Sequence, residues 1–416
     1  MFMTEIKHDP FASLRIKDFL FFLNTRFFLT MAIQMQSVIV GWQIYQYTKD
    51  FLALGMIGLA EAIPFICISL FSGHVADTFN RKHIIILFST LLIGCSSALL
   101  YFSLNNSEFI TRNGTYPIYI VFGFIGIIRG FISPAFPSFM SQLVPRSLYT
   151  NTATWNSTVW HIASIIGPVM AGFICAISFS TAYTVSIFLI AIAVISFLFI
   201  GSKPLPVKEK KEPFFESLSA GIKFVFSNQL ILGALSLDLF AVLFGGAVAM
   251  LPAYADLILK VGPVELGFLR AVPAFGAVVM ALLIAYKPPT KNAGRNLFLS
   301  IAGFGLSTVL FGISSNYYLS LFFLFLTGAF DNVSVVIRHT ILQLSTPDHM
   351  RGRVSAVNSI FIGSSNEIGE FESGLAAHYM GLRTSVVFGG MMTMLIVFVT
   401  SRITPKLRKM DLKSIE

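Results

Sequence analysis

The sequence predicts an all-α integral membrane protein of twelve transmembrane helices, arranged as two pseudo-symmetric six-helix bundles. Three observations carry this. The first is composition: of 416 residues, 55% are hydrophobic and 12% charged, with a mean hydropathy of +0.77, more apolar surface than a soluble core of this size can bury. The second is a run of twelve apolar stretches, each near the roughly 20 residues a bilayer crossing requires. They cover residues 18–46, 51–72, 83–104, 116–141, 151–178, 182–201, 229–253, 263–286, 295–314, 316–341, 352–379 and 383–402. The third is a repeat. Residues 126–172 return as 328–374 at a constant offset of 202, with Gly126/Gly328, Pro145/Pro347, Asn156/Asn358, Ser157/Ser359, Ile166/Ile368, Gly167/Gly369 and Gly172/Gly374 matching. Both copies share one layout: an apolar span, a short polar loop opened by proline, then a second span carrying paired glycines.

The charges set the topology. The net charge is +9, with 29 Lys and Arg in all. Lys49, Arg112, Lys260 and Arg383 fall on one side, and Arg26, Arg129, Arg270 and Arg338 fall within spans. The remaining 21 lie on the other side, with both termini. This positive-inside bias places both termini in the cytoplasm, and makes the basic excess a topology signal with no nucleic-acid partner. Cys67, Cys95 and Cys175 lie inside spans and read as small core hydrophobes, offering neither a disulfide framework nor a metal cluster. The first span is too long, and too polar at Asn24, Arg26, Gln34 and Gln36, for a cleaved signal peptide.

In chain order, residues 1–201 form the first bundle. The connection after its second span reads Gly73-His-Val-Ala-Asp77-Thr-Phe-Asn80-Arg81-Lys82. Its glycine allows a tight turn, Asp77 can cap a helix end, and Arg81 and Lys82 pin the turn to the inner surface. Span four carries Arg129, and span five carries Gly167-Pro168-Val-Met-Ala-Gly172. Residues 202–228 are a cytoplasmic linker whose second part, from Phe214 to Phe226, is amphipathic and reads as a surface helix. Residues 229–416 form the second bundle, with the loop Thr346-Pro347-Asp348-His-Met-Arg351-Gly352-Arg353-Val-Ser355 before span eleven.

The loop Gly73 to Lys82 resembles the signature between helices two and three of the major facilitator superfamily, with Asn80 where that family usually has glycine. The span-five motif of Gly167, Pro168 and Gly172 is similar to the helix-five motif of that family's exporters. The loop with Asp348, Arg351 and Arg353, together with Asp331 and Asn366-Glu-Ile-Gly-Glu-Phe-Glu-Ser-Gly374, resembles the branch holding bacterial siderophore exporters of the enterobactin type and macrolide efflux pumps. The resemblance implies alternating access, with helices one, four, seven and ten lining a central cavity. It also implies proton-driven export of a small molecule across the bacterial inner membrane.

Ionisable groups inside apolar spans are costly and face a partner or a water-filled cavity. Arg129 in the first copy stands opposite Asp331 in the second, Glu61-x-x-Pro64 has a look-alike of opposite sign in Arg270-x-x-Pro273, and Arg26 and Asp238, at similar distances from their cytoplasmic ends but aligned by a different offset, make a third reversal. At about 1.5 Å per residue, Arg26, Arg129, Asp238 and Asp331 fall on the cytoplasmic side of the midplane. Glu61, Arg270, Glu367 and Glu370 fall on the outer side. The first four are expected to meet when the cytoplasmic side closes; the bland alternative locks each charge to a neighbour in its own half. Glu367 and Glu370 share a helix face, and two carboxylates at low dielectric cannot both stay ionised cheaply, so they join Glu61 and Asp331 as proton-coupling candidates. His161 and His378 read as core residues, and Trp42, Trp155 and Trp160, with the 43 phenylalanines, as mostly lipid-facing or belt residues, some aromatics on spans one, four, seven and ten lining the cavity.

The reading is therefore a monomeric secondary transporter in the bilayer, not an enzyme. It exchanges protons for a siderophore or a similar amphiphilic metabolite, and needs no cofactor and no metal. A multidrug or macrolide pump is the nearest alternative. A lipid-modifying membrane enzyme would need a polar catalytic cluster in an interfacial loop, and no loop offers one.

Overall fold

The computed structural model describes residues 9–104, 112–201, 203, 214–347 and 350–412. Among these, twelve long segments form in the expected order. Spans one to six are Lys17–Thr48, Phe51–Thr78, Arg81–Leu104, Tyr116–Leu143, Tyr149–Cys175 and Phe179–Leu198. Spans seven to twelve are Gln229–Leu259, Pro263–Tyr286, Ala293–Ile313, Tyr317–Ser345, Arg351–Met380 and Leu382–Ile403. Lipid offers no partner for a free backbone group, so the helices are closed at their ends. Asp50, Asn228 and Asn316 accept hydrogen bonds from the first amides of spans two, seven and ten. Spans one and seven stop at Lys49 and Lys260, both left-handed, with φ of 51° and 54°. Eleven described helices are apolar and long enough to cross a membrane. Span eleven is as long but is not among them, because it carries Asn366, Glu367, Glu370 and Glu372.

Span seven is not the uninterrupted helix expected over 229–253. An α-helix ends at Phe244, Gly245 and Gly246 break it, and the chain resumes as a 3-10 turn, Ala247–Met250, then Leu251–Tyr254 and a π turn, Ala255–Leu259. Gly246 sits against the Gly369 carbonyl and Ser373 of span eleven, where a Cβ would have only 3.0 Å. The Tyr254 hydroxyl donates to the Gly312 carbonyl at 2.6 Å, tying the second part of the span to span nine.

The repeat glycines explain how the halves are built. Gly126 seats span four against the Glu61 backbone of span two, and Gly328 seats span ten against the Pro273 backbone of span eight. Gly167 approaches the Met31 carbonyl of span one, where a Cβ would lie at 2.8 Å, and Gly369 approaches the Leu243 carbonyl of span seven, at 2.9 Å. Gly172 and Gly374 each reach the opposite half. A Cβ on Gly172 would stand 2.6 Å from the Pro263 carbonyl of span eight, and one on Gly374 would stand 2.7 Å from the Gly55 Cα of span two. Small residues let backbones meet where the hydrophobic effect gives no drive between helices. This register also corrects the pairing of Glu61 with Arg270: the partner of Gly328 is Pro273, which leaves Arg270 about one turn out of step with Glu61.

Within the first half, span one is the buried centre. Gln36 donates to Ser96 at 2.6 Å, Tyr183 donates to Gln43 at 2.6 Å, and Ser186 donates to the Ala32 carbonyl at 3.2 Å, so its polar groups are matched by spans three and six. Polar contacts between the halves run from the middle toward the end away from the termini. Lys49 pairs with Asp256 at 2.8 Å and His378 with Asp50 at 3.6 Å.

Several local expectations change. Span two runs through Thr78, so Gly73 is helical with open space beside it, and the turn falls at Phe79 and Asn80. The Asn80 side chain accepts from the Lys82 amide at 2.9 Å, so this residue, in the place of the family glycine, caps span three. Arg81 donates to the carbonyls of Ala76 and Ser138, and Lys82 to those of Leu198 and Ile200, fastening the turn to spans four and six. The Asp77 side chain and all of Asp348 lie outside the described residues. The linker helix Phe214–Ser227 docks on the second half, where Val225 packs with Met350, Val354 and Val357 and Gly221 meets Arg353. Arg353 also donates to Met350 Sδ, and Arg351 is exposed. Cys175 is buried as expected, but Cys67 is exposed and Cys95 half-buried.

Candidate functional site

Where the two halves meet in the middle of the bundle, a cavity of about 410 Å3 is lined by spans one, two, four, five, seven, eight and eleven. Its charged lining is Glu61, Arg129, Arg270, Glu367 and Glu370. Span four brings Arg129 in because Gly126, one turn earlier, sets that helix on the Glu61 backbone. Arg129 Nη1 donates to Glu61 Oε1 in its own half and, at 2.9 Å, to Glu367 Oε1 of span eleven in the other. The guanidinium also stands 5.8 Å over the Phe65 ring. Arg129 is thus a strap between the halves. Its side chain remains 37% accessible because it borders the cavity, whereas the two carboxylates are 9% and 10% accessible.

Glu370 differs from Glu367. It lines the cavity one turn further along span eleven and packs against Gly58, where a Cβ would come within 2.7 Å of the Glu370 Cβ. It makes no direct hydrogen bond or ion pair among the described residues, although Glu367, Arg270, Glu61 and Arg129 all act on it electrostatically. Arg270 in turn donates to Ser37 Oγ of span one at 2.6 Å and to the Val248 carbonyl of span seven at 3.3 Å. With three carboxylates and two guanidiniums, the lining carries one formal negative charge when all are ionised. One proton on any of the three carboxylates would bring that sum to zero.

The expected charge layers are rearranged. The count along the helices puts Arg129 on the opposite side of the midplane from Glu61 and Glu367, yet its guanidinium bonds both carboxylates. Arg129, Arg26, Asp238 and Asp331 do not meet in this conformation. Asp238 pairs with Arg338 of span ten, both side chains under 10% accessible, inside the second half. Arg26 stacks 5.3 Å over Phe136, and its Nε is buried without a hydrogen-bond partner among the described residues. Asp331 is half-buried on span ten. Gly167 and Gly172 seat span five on spans one and eight, and Pro168 lines the cavity.

Arg338 was visible as an intramembrane charge, and its depth in span ten matches that of Asp238 in span seven. Trp160, 39% exposed, borders the cavity, Trp42 is only 7% exposed, and Trp155 donates to the Pro10 carbonyl at 3.0 Å. His378 is exposed at the end of span eleven, not in a core, while His161 Nδ1 is buried without a hydrogen-bond partner among the described residues. Ser37 had no sequence signal beyond being a polar residue in an apolar span.

A sequence model described as Major Facilitator Superfamily matches residues 22–370. The chain belongs to the Major Facilitator Superfamily. It is therefore a transporter of that superfamily, built on the all-α membrane fold that the family shares. Among curated relatives, the enterobactin exporter EntS of Shigella boydii serotype 18 is 24% identical over 334 residues, covering 80% of this chain and 78% of that protein. The protein of the same name from Shigella flexneri gives the same figures. Among solved structures, a bacterial homolog of the human lysosomal transporter Spinster, in an inward-facing and unoccupied conformation, superposes with a TM-score of 0.71 at 14% identity, covering 94% of this chain and 98% of that one. A D-xylose-proton symporter gives a TM-score of 0.70 at 12% identity, covering 97% and 100%. At these identities the structural likeness concerns the fold alone.

Proposed function

We propose that this superfamily transporter is a proton-coupled antiporter that exports a siderophore or a similar small amphiphilic molecule from the bacterial cytoplasm. The observation that carries the coupling is the charge balance of the cavity: three carboxylates against two arginines, with Glu370 free of any direct partner among the described residues. The substrate reading rests on the likeness to the enterobactin exporters. The positive-inside bias puts the termini in the cytoplasm. Lys49–Asp256 and the glycine seams then cover the cavity on the outside, and the substrate reaches it from within.

In this cycle the inward-facing cavity releases a proton from Glu370 and takes up the substrate, whose apolar body lies against Phe122, Ile57 and Trp160. The loaded protein opens outward, where substrate leaves and a proton returns. Arg129, Glu61 and Glu367 hold the halves together until substrate loosens the strap. The two half-buried charges on the cytoplasmic side, Arg26 and Asp331, line the path or gate it when that side closes. The negative cavity also favours a second cargo, a basic drug-like amphiphile whose ammonium competes with the proton.

Inverted membrane vesicles containing the protein test both readings, with radiolabelled enterobactin and ethidium as separate probes. Energised vesicles are expected to accumulate at least one of them, and an uncoupler to abolish the accumulation. Accumulation that survives the uncoupler would sink proton coupling, and uptake of ethidium alone would replace the siderophore reading by the second.

A further inference from the structure

Arg270 holds a position that the charge cluster alone does not explain. It belongs to span eight, yet its two bonded partners are Ser37 on span one and the Val248 carbonyl in the broken part of span seven. It therefore fastens the second half to the first at the level of the break at Gly245 and Gly246. The part of span seven beyond that break forms the cover over the cavity: Pro252 touches Gly41 of span one, where a Cβ would have 3.2 Å, and Asp256 pairs with Lys49. Arg270 also lies in the electrostatic field of Glu370 and Glu367, without being bonded to either.

We infer that Arg270 is a positioning residue that transmits the protonation state of Glu370 to the outer cover by exchanging Ser37 and the Val248 carbonyl for the Glu370 carboxylate. This rests on the antiport reading above. With a proton on Glu370, Arg270 has no strong acceptor there and stays on Ser37 and Val248, keeping the cover fastened. When Glu370 gives its proton to cavity water, its carboxylate draws Arg270 away, since a charge-assisted bond is roughly twice as strong as one to a neutral acceptor. The charged groups around Glu370 are Glu367 on its own helix, Glu61 on span two, Arg129 on span four and Arg270 on span eight, while spans one and seven contribute neutral groups. Arg129 is already held by Glu61 and Glu367, so Arg270 is the mobile cation.

Two fastenings then act in series. Arg129–Glu367 crosses the halves and yields to substrate; Arg270–Ser37 crosses them and yields to loss of the proton. Requiring both to open forbids the empty protein from turning outward, and requiring both to re-form on return demands an empty substrate site and a proton on Glu370. This is the logic of obligate exchange, and it assigns one residue to each side of the bargain.

The test replaces the unknown substrate by a mutation. In a protein with Cys67, Cys95 and Cys175 changed to Ala, spin labels at Tyr116→Cys and Tyr318→Cys, two exposed sites at the far ends of spans four and ten, report the outer separation. Glu367→Gln removes the first fastening. In that background, raising the pH from the acidic to the alkaline limit at which the protein stays folded is expected to raise the long-distance population about fivefold or more, as Glu370 loses its proton. Adding Arg270→Gln is expected to make the population long at both pH values, with Arg270→Lys restoring part of the response. Ser37→Ala, which leaves every charge in place, is expected to raise the long-distance population at the acidic pH. A response that Arg270→Gln and Ser37→Ala leave unchanged would overturn the role of Arg270. A response that survives Glu370→Gln would instead overturn Glu370 as the proton carrier, so the two failures are distinct.

Discussion

The halves are joined by two seams that the duplication makes equivalent, spans two with eleven and spans five with eight, and they differ in charge. In both, glycines from opposite halves let backbones touch: Gly55 with Gly374 in one, Gly172 with Gly267 in the other. Around the first seam stand Glu61, Glu367 and Glu370, with Arg129 reaching in from span four. The second carries only Arg270 facing the cavity, and on its other side Phe173 and Phe268 meet edge to face at 6.0 Å. Close packing needs only small residues, so either copy keeps it after duplication. Ionisable groups at low dielectric are costly, and three of the four on these two seams that line the cavity stand on the first, with Arg270 on the second.

The largest difference is expected in coupling. Glu370→Gln should lower proton-driven flux about 100-fold or more while probe binding stays within about threefold, the pattern for a group used in turnover and not in ground-state affinity. Phe268→Leu, in the other seam, should change flux less than about twofold, since it trims a surface contact. Equal losses in vesicle transport from both would erase the distinction between the seams.

A charge buried within one half provides the next contrast. Asp238→Asn leaves Arg338 enclosed without its counter-ion and should destabilise the protein by about 3–5 kcal/mol, with Arg338→Met recovering most of the loss in the double variant. Unfolding in detergent measures the stability. Any shift in the pH profile of transport from this pair would mean that charge outside the seam also couples.

Glycine substitutions probe packing in both seams. Gly58→Ala and Gly267→Ala each place a methyl within 2.7 Å of a neighbour, against Glu370 and the Pro168 carbonyl respectively, and each should be destabilising by about 1–3 kcal/mol. Only Gly58→Ala should also displace the pH dependence of flux, because it pushes directly on Glu370. The smallest effect is expected at the rim away from the termini, where Lys49→Ala removes a solvent-exposed pair with Asp256 and should change stability by about 0–1 kcal/mol, less at high salt.

What the residues disclosed beforehand follows from the range of the forces involved. Apolar length and the repeat glycines act locally, so the twelve spans and the packing of Gly126, Gly167 and Gly172 with their partners were legible. The break in span seven was not, because Gly245 and Gly246 yield to Phe304 and span eleven, which are distant in sequence. The charged residues stood out as expensive, but their partners did not. Depth counted along each helix sets Arg129 apart from Glu61, whereas Gly126 seats span four on the Glu61 backbone and leaves Arg129 only one turn away. Sign reversal between the copies likewise pointed Arg26 at Asp238, when the arginine that fits Asp238 is Arg338 in the neighbouring span.

The central claim, that the charged seam surrenders a proton from Glu370 when cargo binds, is tested most directly by proton release from purified protein. A pH indicator in lightly buffered detergent, with whichever of enterobactin or ethidium the vesicles accumulate, reads the release as ligand is added. About one proton per bound ligand is expected from the unaltered protein and from Gly267→Ala, and none from Glu370→Gln with ligand binding retained. Undiminished release from Glu370→Gln would contradict the account.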